Sequence, residues 1–214
     1  MNIHEWIEGF VPTNGIVLEA GAWNGDDTLF FSKHLTEGKV YSFEPFPLFY
    51  YQTCQRLWKC PNVEVCPLAL AEKTQTYTLY LSEISGNYWC SNSILEPKEH
   101  LAINPHVKFE RTIDVEGINL DEWLAVKKLD RIDMIWLDIQ GAEYSVLKAA
   151  PNVLARTKYI YTEVSLIELY KSTPLYEEFK AFMKSKGFEV VLEFLPSGNT
   201  GDGDVLFHNT AFEI

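Results

Sequence analysis

Short apolar runs alternate with segments of helical periodicity along most of this chain, and that alternation constrains its fold more than any other feature. The apolar runs are rich in β-branched and aromatic residues, which is typical of strands buried in a sheet. They span residues 16–20, 39–43, 63–67, 134–137, 159–164, 189–194 and 205–208. Segments with helical spacing span residues 27–35, 47–58, 120–126, 142–149 and 175–186. The alternation predicts an α/β fold: a doubly wound, Rossmann-like, mostly parallel sheet of about seven strands.

Two stretches depart from the alternation. Residues 195–204 separate the last two predicted strands with three glycines, one proline and no helical pattern, which predicts an antiparallel C-terminal hairpin at one edge of the sheet. Residues 82–105 form a long irregular segment, and loops of this length are usually functional or disordered. The length fits one domain over residues 1–214, with the 82–105 loop predicted to lie near a ligand.

The chain is strongly acidic. It has 18 Lys and Arg against 30 Asp and Glu, a formal net charge of −12. Phosphate backbones and anionic membranes recruit clusters of cations, so we expect no nucleic acid partner. We also expect no membrane span, because no apolar run reaches about 18 residues. The N-terminal sequence lacks a basic segment followed by an apolar run, which predicts a cytoplasmic protein.

The first predicted strand runs into the turn EAGAWNGDDT, residues 19–28. Gly21 and Gly25 allow a tight turn and close approach to a ligand, but their spacing is not the GxGxxG of dinucleotide-binding proteins. Glu19 and the two aspartates would repel a pyrophosphate and favour a cationic ligand. Glu44 ends the second predicted strand, where a carboxylate can accept hydrogen bonds from two ribose hydroxyls. A cationic ligand that also carries a nucleoside points to S-adenosylmethionine (SAM).

Several segments together resemble the FkbM family of SAM-dependent O-methyltransferases, from about residue 15 to the last strand. They are EAGAWNGDDT, YSFEP at 41–45, PLALA at 67–71, NSIL at 92–95, INLDEW at 118–123 and IDMIWLDIQGAE at 132–143 followed by VLK at 146–148. The resemblance implies a seven-stranded sheet with a reversed final hairpin, bound SAM, and methyl transfer to a hydroxyl, often on a sugar. The family segment D-x-E-G-x-E reads DIQGAE here, so Gln140 replaces a common glutamate and removes one negative charge.

The predicted cofactor-binding residues follow from the turn, the strand ends and these segments. They are Glu19, Gly21, Ala22, Asn24, Gly25, Thr28, Glu44, Pro45, Ala69, Asp138 and Gln140.

A sugar hydroxyl is a weak acid, so it needs a general base or a divalent cation to become nucleophilic. Asp138 and Glu163 end neighbouring predicted strands and are candidate catalytic residues, either as a base or as ligands of Mg²⁺ or Mn²⁺. His208 on the final hairpin is a candidate third ligand or an alternative base. Predicted substrate contacts are Tyr88, Trp89, Ser93 and Glu143.

The leading hypothesis is therefore a SAM-dependent O-methyltransferase that methylates a hydroxyl of a sugar or glycan. Three alternatives stay open at this point. The acceptor could be a small molecule other than a sugar. The chain could be an NAD-dependent oxidoreductase or epimerase, which would share the fold and Glu44. It could also be a non-catalytic binding module with a methyltransferase-like fold, although such a module would be expected to lose the cofactor carboxylates.

Overall fold

The computed structural model describes residues 3–196 and 201–213. The helices are α1 (Ile3–Phe10), α2 (Asp26–His34), α3 (Pro47–Arg56), α4 (His100–Ile103), α5 (Leu120–Lys127), α6 (Glu143–Lys148), α7 (Pro151–Leu154) and α8 (Tyr176–Ser185). The strands are β1 (Ile16–Ala20), β2 (Lys39–Phe43), β3 (Val63–Cys66), β4 (Ala69–Leu70), β5 (Gln75–Ile84), β6 (Asn87–Tyr88), β7 (Lys108–Ile118), β8 (Ile132–Leu137), β9 (Thr157–Ser165), β10 (Phe188–Phe194) and β11 (Asp202–Asn209).

A seven-stranded sheet forms the centre of the molecule in the order β10-β11-β9-β8-β1-β2-β3. Strands β3, β2, β1, β8 and β9 pair in parallel, whereas β11 runs antiparallel to both β9 and β10. The predicted α/β class, strand number and C-terminal hairpin are therefore confirmed. Of the stretch that joins the hairpin strands, residues 197–200 lie outside the described residues.

Helices cover both faces of this sheet, which explains why its strands are apolar on both sides. On one face Leu18 and Ile135 pack against α5, α6 and α8. On the other face Val17 and Met134 pack against α1 and α2. No helix among the described residues is both long enough and apolar enough to cross a membrane.

A second sheet, which was not predicted from the sequence, lies beside the first. Strands β4, β7, β5 and β6 pair in that order, and β5 and β7 form its long antiparallel pair. The predicted irregular segment 82–105 is partly regular, because it contains the end of β5, strand β6 and helix α4. Phe46 and Phe49 fill the space between this sheet and α3, together with Leu79 and Leu81 of β5. The second sheet therefore forms a wall beside the carboxyl ends of β2 and β3.

The chain winds outward from β1 in both directions, to β2 and β3 on one side and to β8 and β9 on the other. The carboxyl ends of β1 and β8 are thus a topological switch point, where doubly wound folds leave a crevice for a ligand. Gly21 follows β1 at this point and Asp138 follows β8.

Candidate functional site

The turn after β1 passes so close to the end of β8 that only glycine fits at position 21. Gly21 has φ of +88°, and a Cβ atom there would lie 1.8 Å from the carbonyl oxygen of Asp138. The backbone N–H of Gly21 donates to the carbonyl of Phe43 at 3.1 Å, and that of Asp138 donates to Ala20 at 3.0 Å. These contacts bring the ends of β1, β2 and β8 together around one crevice.

Helix α3 holds the rest of this turn in place. The Thr53 hydroxyl donates to the carbonyl of Trp23 at 2.9 Å, and Arg56 donates to the carbonyl of Asn24 at 3.0 Å and pairs with Asp26. Asn24 accepts from the N–H of Asp26 at 2.9 Å, so its side chain shapes the start of α2. Thr53 and Arg56 were not predicted from the sequence, because a contact between a helix and a distant turn leaves no local pattern.

Glu44 follows β2 and is buried at the bottom of the crevice. Its Oε2 accepts from the N–H of Trp23 and its Oε1 from the N–H of Phe46, both at 2.9 Å. A carboxylate has about four acceptor positions, so each oxygen keeps capacity for a ligand hydroxyl. Burial raises the pKa of Glu44 to about 7, although the two backbone hydrogen bonds oppose the rise.

The crevice, counted together with the open solvent at its mouth, has a volume of about 520 Å³. Five predicted site residues line it: Gly21, Glu44, Pro45, Ala69 and Asp138. Most of its apolar walls were not predicted, among them Phe43, Phe49, Leu68, Leu70 and Leu79. One apolar end and two carboxylates match a ligand with a flat aromatic part, hydroxyl groups and a positive charge.

Two predicted cofactor contacts, Glu19 and Thr28, lie behind the crevice. Glu19 shares a face of β1 with Val17, opposite Ala20, and only 1% of its surface is exposed. Its Oε2 accepts from the Thr28 hydroxyl at 2.6 Å. The prediction of direct contact is corrected here, because side chains alternate along a strand and Ala20 takes the position that faces the crevice. Ala22, Asn24 and Gly25 also lie outside the lining, where they shape the turn.

Glu19 should make stability depend on pH. Burial raises its pKa from 4.5 to about 7, so unfolding releases a proton from this group between those values and stability falls as pH rises. Glu19→Gln should therefore raise the free energy of unfolding at pH 8 by roughly 1–3 kcal/mol. Urea unfolding at pH 8 and pH 5 measures this, and the gain should shrink at pH 5. A less stable variant at pH 8 would contradict the assignment.

Asp138, Gln140 and Glu163 form one hydrogen-bonded network. The Gln140 amide nitrogen donates to Asp138 Oδ1 at 2.7 Å and to Glu163 Oε2 at 3.2 Å. The Tyr170 hydroxyl donates to Gln140 Oε1 at 2.9 Å, which fixes the orientation of the amide. Gln140 has φ of +55°, a left-handed conformation. Tyr170 was not predicted, because its contact joins two loops that lie 30 residues apart in sequence.

Carboxylates crowd this end of the sheet. Burial raises the pKa of Asp138, and the charges of Asp27 and Asp202 add to the rise. Burial and the charge of Asp138 raise the pKa of Glu163, which pairs with Asp204 across β9 and β11. Asp138 itself remains accessible from the crevice. A carboxylate with a raised pKa is a stronger base once it is ionised.

The predicted Mg²⁺ or Mn²⁺ site is not supported. Within residues 3–196 and 201–213, no group of three or more His, Cys, Asp or Glu residues is arranged to hold a metal ion. The amide nitrogen of Gln140 donates to Asp138 and Glu163, the two predicted ligands, so it already engages both carboxylates. We therefore derive no step through a metal ion.

His208 lies at the wrong end of the sheet for its predicted role. It pairs with Tyr159 near the start of β9, and only 5% of its surface is exposed. Because β11 runs antiparallel to β9, its first residues reach the crevice end and its last residues reach the opposite edge. The prediction that His208 acts as a base or ligand is wrong for this reason.

The four predicted substrate contacts have different positions. Trp89 contacts Trp23 of the crevice lining with ring centroids 5.9 Å apart, and it is 40% exposed. Tyr88 packs on Phe46 and accepts a hydrogen bond from Arg111 at 3.0 Å. The other two are buried supports: Ser93 donates to the carbonyl of Gln140 at 2.7 Å, and Glu143 accepts from the N–H of Ile139 at 2.8 Å. The prediction that Ser93 and Glu143 contact the substrate directly is therefore wrong for this structure, in which both support the backbone of residues 139 and 140.

Solved structures define the fold class. An rRNA methylase from Streptococcus thermophilus covers 97% of this chain and 93% of its own, with a TM-score of 0.53 and 16% identity. The fibrillarin of Aeropyrum pernix, solved with bound S-adenosyl-L-methionine, covers 96% of this chain and 73% of its own, with a TM-score of 0.54 and 10% identity. The fold is the Rossmann-like fold of class I methyltransferases.

Sequence comparison defines the family. The model of the methyltransferase FkbM domain matches residues 19–190. The 2-O-methyltransferase NoeI of Sinorhizobium fredii is 31% identical over 198 residues, which cover 91% of this chain and 79% of that protein. The methyltransferase sdnD of Sordaria araneosa is 23% identical and covers 84% of this chain and 76% of that protein. This chain belongs to the FkbM family and is a SAM-dependent methyltransferase.

The residues that line the crevice match the chemical groups of SAM. Glu44 retains acceptor capacity for ribose hydroxyls at the end of β2, and the apolar walls suit a purine ring. Gly21 would allow the backbone to approach the methionine part of SAM, and Asp138 would supply negative charge for its sulfonium and amino groups.

Glu44→Ala should weaken SAM binding by about 1–3 kcal/mol, because two hydrogen bonds to a carboxylate are lost. Ribose hydroxyls favour the ionised carboxylate, so wild-type affinity should rise as pH increases through about 7, the pKa of free Glu44. The variant should lose most of that dependence. Calorimetric titration with SAM from pH 6 to pH 8 measures both effects, with exposed Glu37→Ala as the control. Unchanged affinity would remove Glu44 from the ribose site.

Proposed function

We propose that this protein transfers the methyl group of SAM to a hydroxyl oxygen of a sugar or glycan. The observation that carries the proposal is the Asp138 carboxylate, which lines the crevice beside Gly21 and is accessible from it. Burial and neighbouring carboxylates raise its pKa. A hydroxyl acceptor needs a base at this place, and Asp138 supplies one.

SAM supplies an electrophilic methyl group on a sulfonium when it is bound. Asp138 then accepts the proton of the acceptor hydroxyl as the oxygen–carbon bond forms and the sulfur–carbon bond breaks. Gln140 holds Asp138 Oδ1 from one side, which leaves acceptor positions on the carboxylate for the hydroxyl. Tyr170 and Glu163 fix Gln140 in turn. Positioning of the acceptor oxygen behind the methyl group accounts for most of the rate enhancement that the base does not supply.

Three observations support a neutral polyol as the acceptor. The relative NoeI is named as a 2-O-methyltransferase, so methyl transfer to oxygen occurs among proteins similar to this one. The formal net charge of −12 disfavours a phosphate backbone, although a protein of similar fold is named as an rRNA methylase. Trp89 and Trp23 at the crevice add aromatic surface that suits a sugar face.

A small phenolic acceptor is the second candidate, because the crevice walls are largely apolar. A phenol is a stronger acid than a sugar hydroxyl and needs a base less. The raised pKa of Asp138 therefore favours the sugar.

The test is methyl transfer from radiolabelled SAM to three acceptor sets: neutral mono- and oligosaccharides, simple phenols, and total RNA. The proposal predicts label on saccharide and little on phenols or RNA. Label on phenols or RNA alone would overturn it. Calorimetry with SAM, run in parallel, confirms that the enzyme is folded and binds its cofactor.

A further inference from the structure

A groove separate from the cofactor crevice runs along the outer face of α6. Counted together with the open solvent above it, the groove has a volume of about 1030 Å³, and it lies between α6 and the second sheet. Val146 and Leu147 of α6 are buried in the core, whereas Tyr144, Ser145 and Lys148 line the groove. Tyr77 of β5 lines the opposite side.

The groove begins beside the catalytic residues. Ile94 lines both the groove and the cofactor crevice, so the two cavities are neighbours. Gly141 lines the near end and directly follows Gln140, which donates to Asp138. From there α6 leads away, and its six residues rise about 9 Å. A ligand with one reactive ring at Asp138 could therefore extend along the groove.

The two tyrosine rings are fixed before any ligand binds. The Tyr77 hydroxyl donates to the carbonyl of Lys73 at 3.1 Å, and the ring packs on Gly117, where an added Cβ atom would lie 2.5 Å from it. Tyr144 packs edge-on against Phe179 and Phe182, with ring centroids 5.8 Å and 5.1 Å apart, and Lys148 Nζ lies over its ring at 5.2 Å from the centroid. Rigid aromatic rings bind at a low entropic cost.

The polar groups of the groove suit a neutral ligand with many hydroxyls. Glu72 and Lys148 line it with opposite charges, so the two offset each other, and Ser145 and Ser172 add hydroxyl groups. An anionic ligand would favour a groove lined by cations, and a purely apolar ligand would leave these polar groups unpaired. A sugar ring offers an apolar face to an aromatic ring and hydroxyls to the polar groups.

We propose that this groove, lined by Tyr77 and Tyr144, binds the sugar rings that flank the ring to be methylated. The preferred acceptor is then an oligosaccharide rather than a single sugar. This inference rests on the proposed sugar O-methylation, because it extends the acceptor of that reaction.

The experiment compares single sugars with chains. Probes are methyl glycosides of hexoses, deoxyhexoses and N-acetylhexosamines, and trisaccharides that end in the same sugars, with kcat/KM measured by transfer from radiolabelled SAM. We expect the trisaccharide to exceed its methyl glycoside by about ten-fold in kcat/KM, which corresponds to about 1.4 kcal/mol. Tyr144→Ala should bring this ratio close to one, mainly through KM, whereas Tyr144→Phe keeps the ring and should keep the ratio.

A second variant covers the case in which Tyr144→Ala does not fold. Ser145→Phe adds a ring to the groove and removes the hydrogen bond from the Ser145 hydroxyl to the Ala142 carbonyl, and it should lower the ratio as well. Equal kcat/KM values for both probes in the wild type, or a ratio that neither variant changes, would overturn the groove assignment and leave sugar methylation standing. No transfer to any saccharide by an enzyme that binds SAM would instead overturn the proposed function, and the groove assignment with it.

Discussion

Asp138→Asn should lower kcat by about 100-fold or more, because the amide cannot accept the proton of the acceptor hydroxyl. The change is nearly isosteric, and its side-chain oxygen can still accept from Gln140. The backbone hydrogen bond from Asp138 to Ala20 is also kept, so we expect the variant to fold. Its SAM affinity should change by a smaller factor than its kcat. Steady-state kinetics and calorimetric titration measure the two quantities.

The pH profile separates a base from a merely structural carboxylate. Asp138 must be ionised to act, so the wild-type rate should rise with pH through its raised pKa. The residual rate of Asp138→Asn should not show this rise with pH. Asp130→Asn, an exposed change in the connection before β8, is the matched control and should behave as wild type. Wild-type kcat in Asp138→Asn would remove the catalytic role.

Gly21→Ala should strongly destabilise the protein, because the added methyl group has no room at the switch point. A Cβ atom 1.8 Å from the Asp138 carbonyl oxygen forces the ends of β1 and β8 apart. We expect a loss of about 3 kcal/mol or more in the free energy of unfolding. That loss corresponds to a fall in Tm of roughly 10 °C for a chain of this size.

Gly86→Ala provides the matched control for that prediction. Gly86 has φ of +81°, similar to that of Gly21, but nothing lies within 4 Å of an added Cβ atom. Its cost is therefore backbone strain alone, about 1–2 kcal/mol. Thermal unfolding of both variants separates strain from collision. Equal losses in the two would show that the contact between positions 21 and 138 is not what requires glycine.

The central part of the site could be predicted from the sequence because it depends on strand ends. Strands β1 and β2 have the predicted bounds, and parallel strands bring their carboxyl ends to one edge. Gly21, Glu44 and Asp138 therefore meet there as expected. His208 was misplaced although its hairpin was predicted, because an antiparallel strand brings its start to that edge. Asp204, at the start of β11, pairs with Glu163 instead.

The sequence analysis missed two kinds of feature, one with a local sequence signal and one without. The second sheet had a local signal, since residues 75–84 alternate in polarity and are rich in β-branched and aromatic residues, as an exposed strand requires. Contacts between distant segments had none. Arg56 of α3 on the carbonyl of Asn24, and Tyr170 on Gln140, depend on how the elements pack.

The most direct test of sugar O-methylation uses SAM labelled with ¹³C in its methyl group and the saccharide acceptor found by screening. NMR spectra of the product show which atom carries the label. We predict a single methoxy signal that correlates with a ring proton of the sugar, and a signal reduced about 100-fold in Asp138→Asn. Label on nitrogen, on carbon or on RNA would contradict methylation of a sugar hydroxyl.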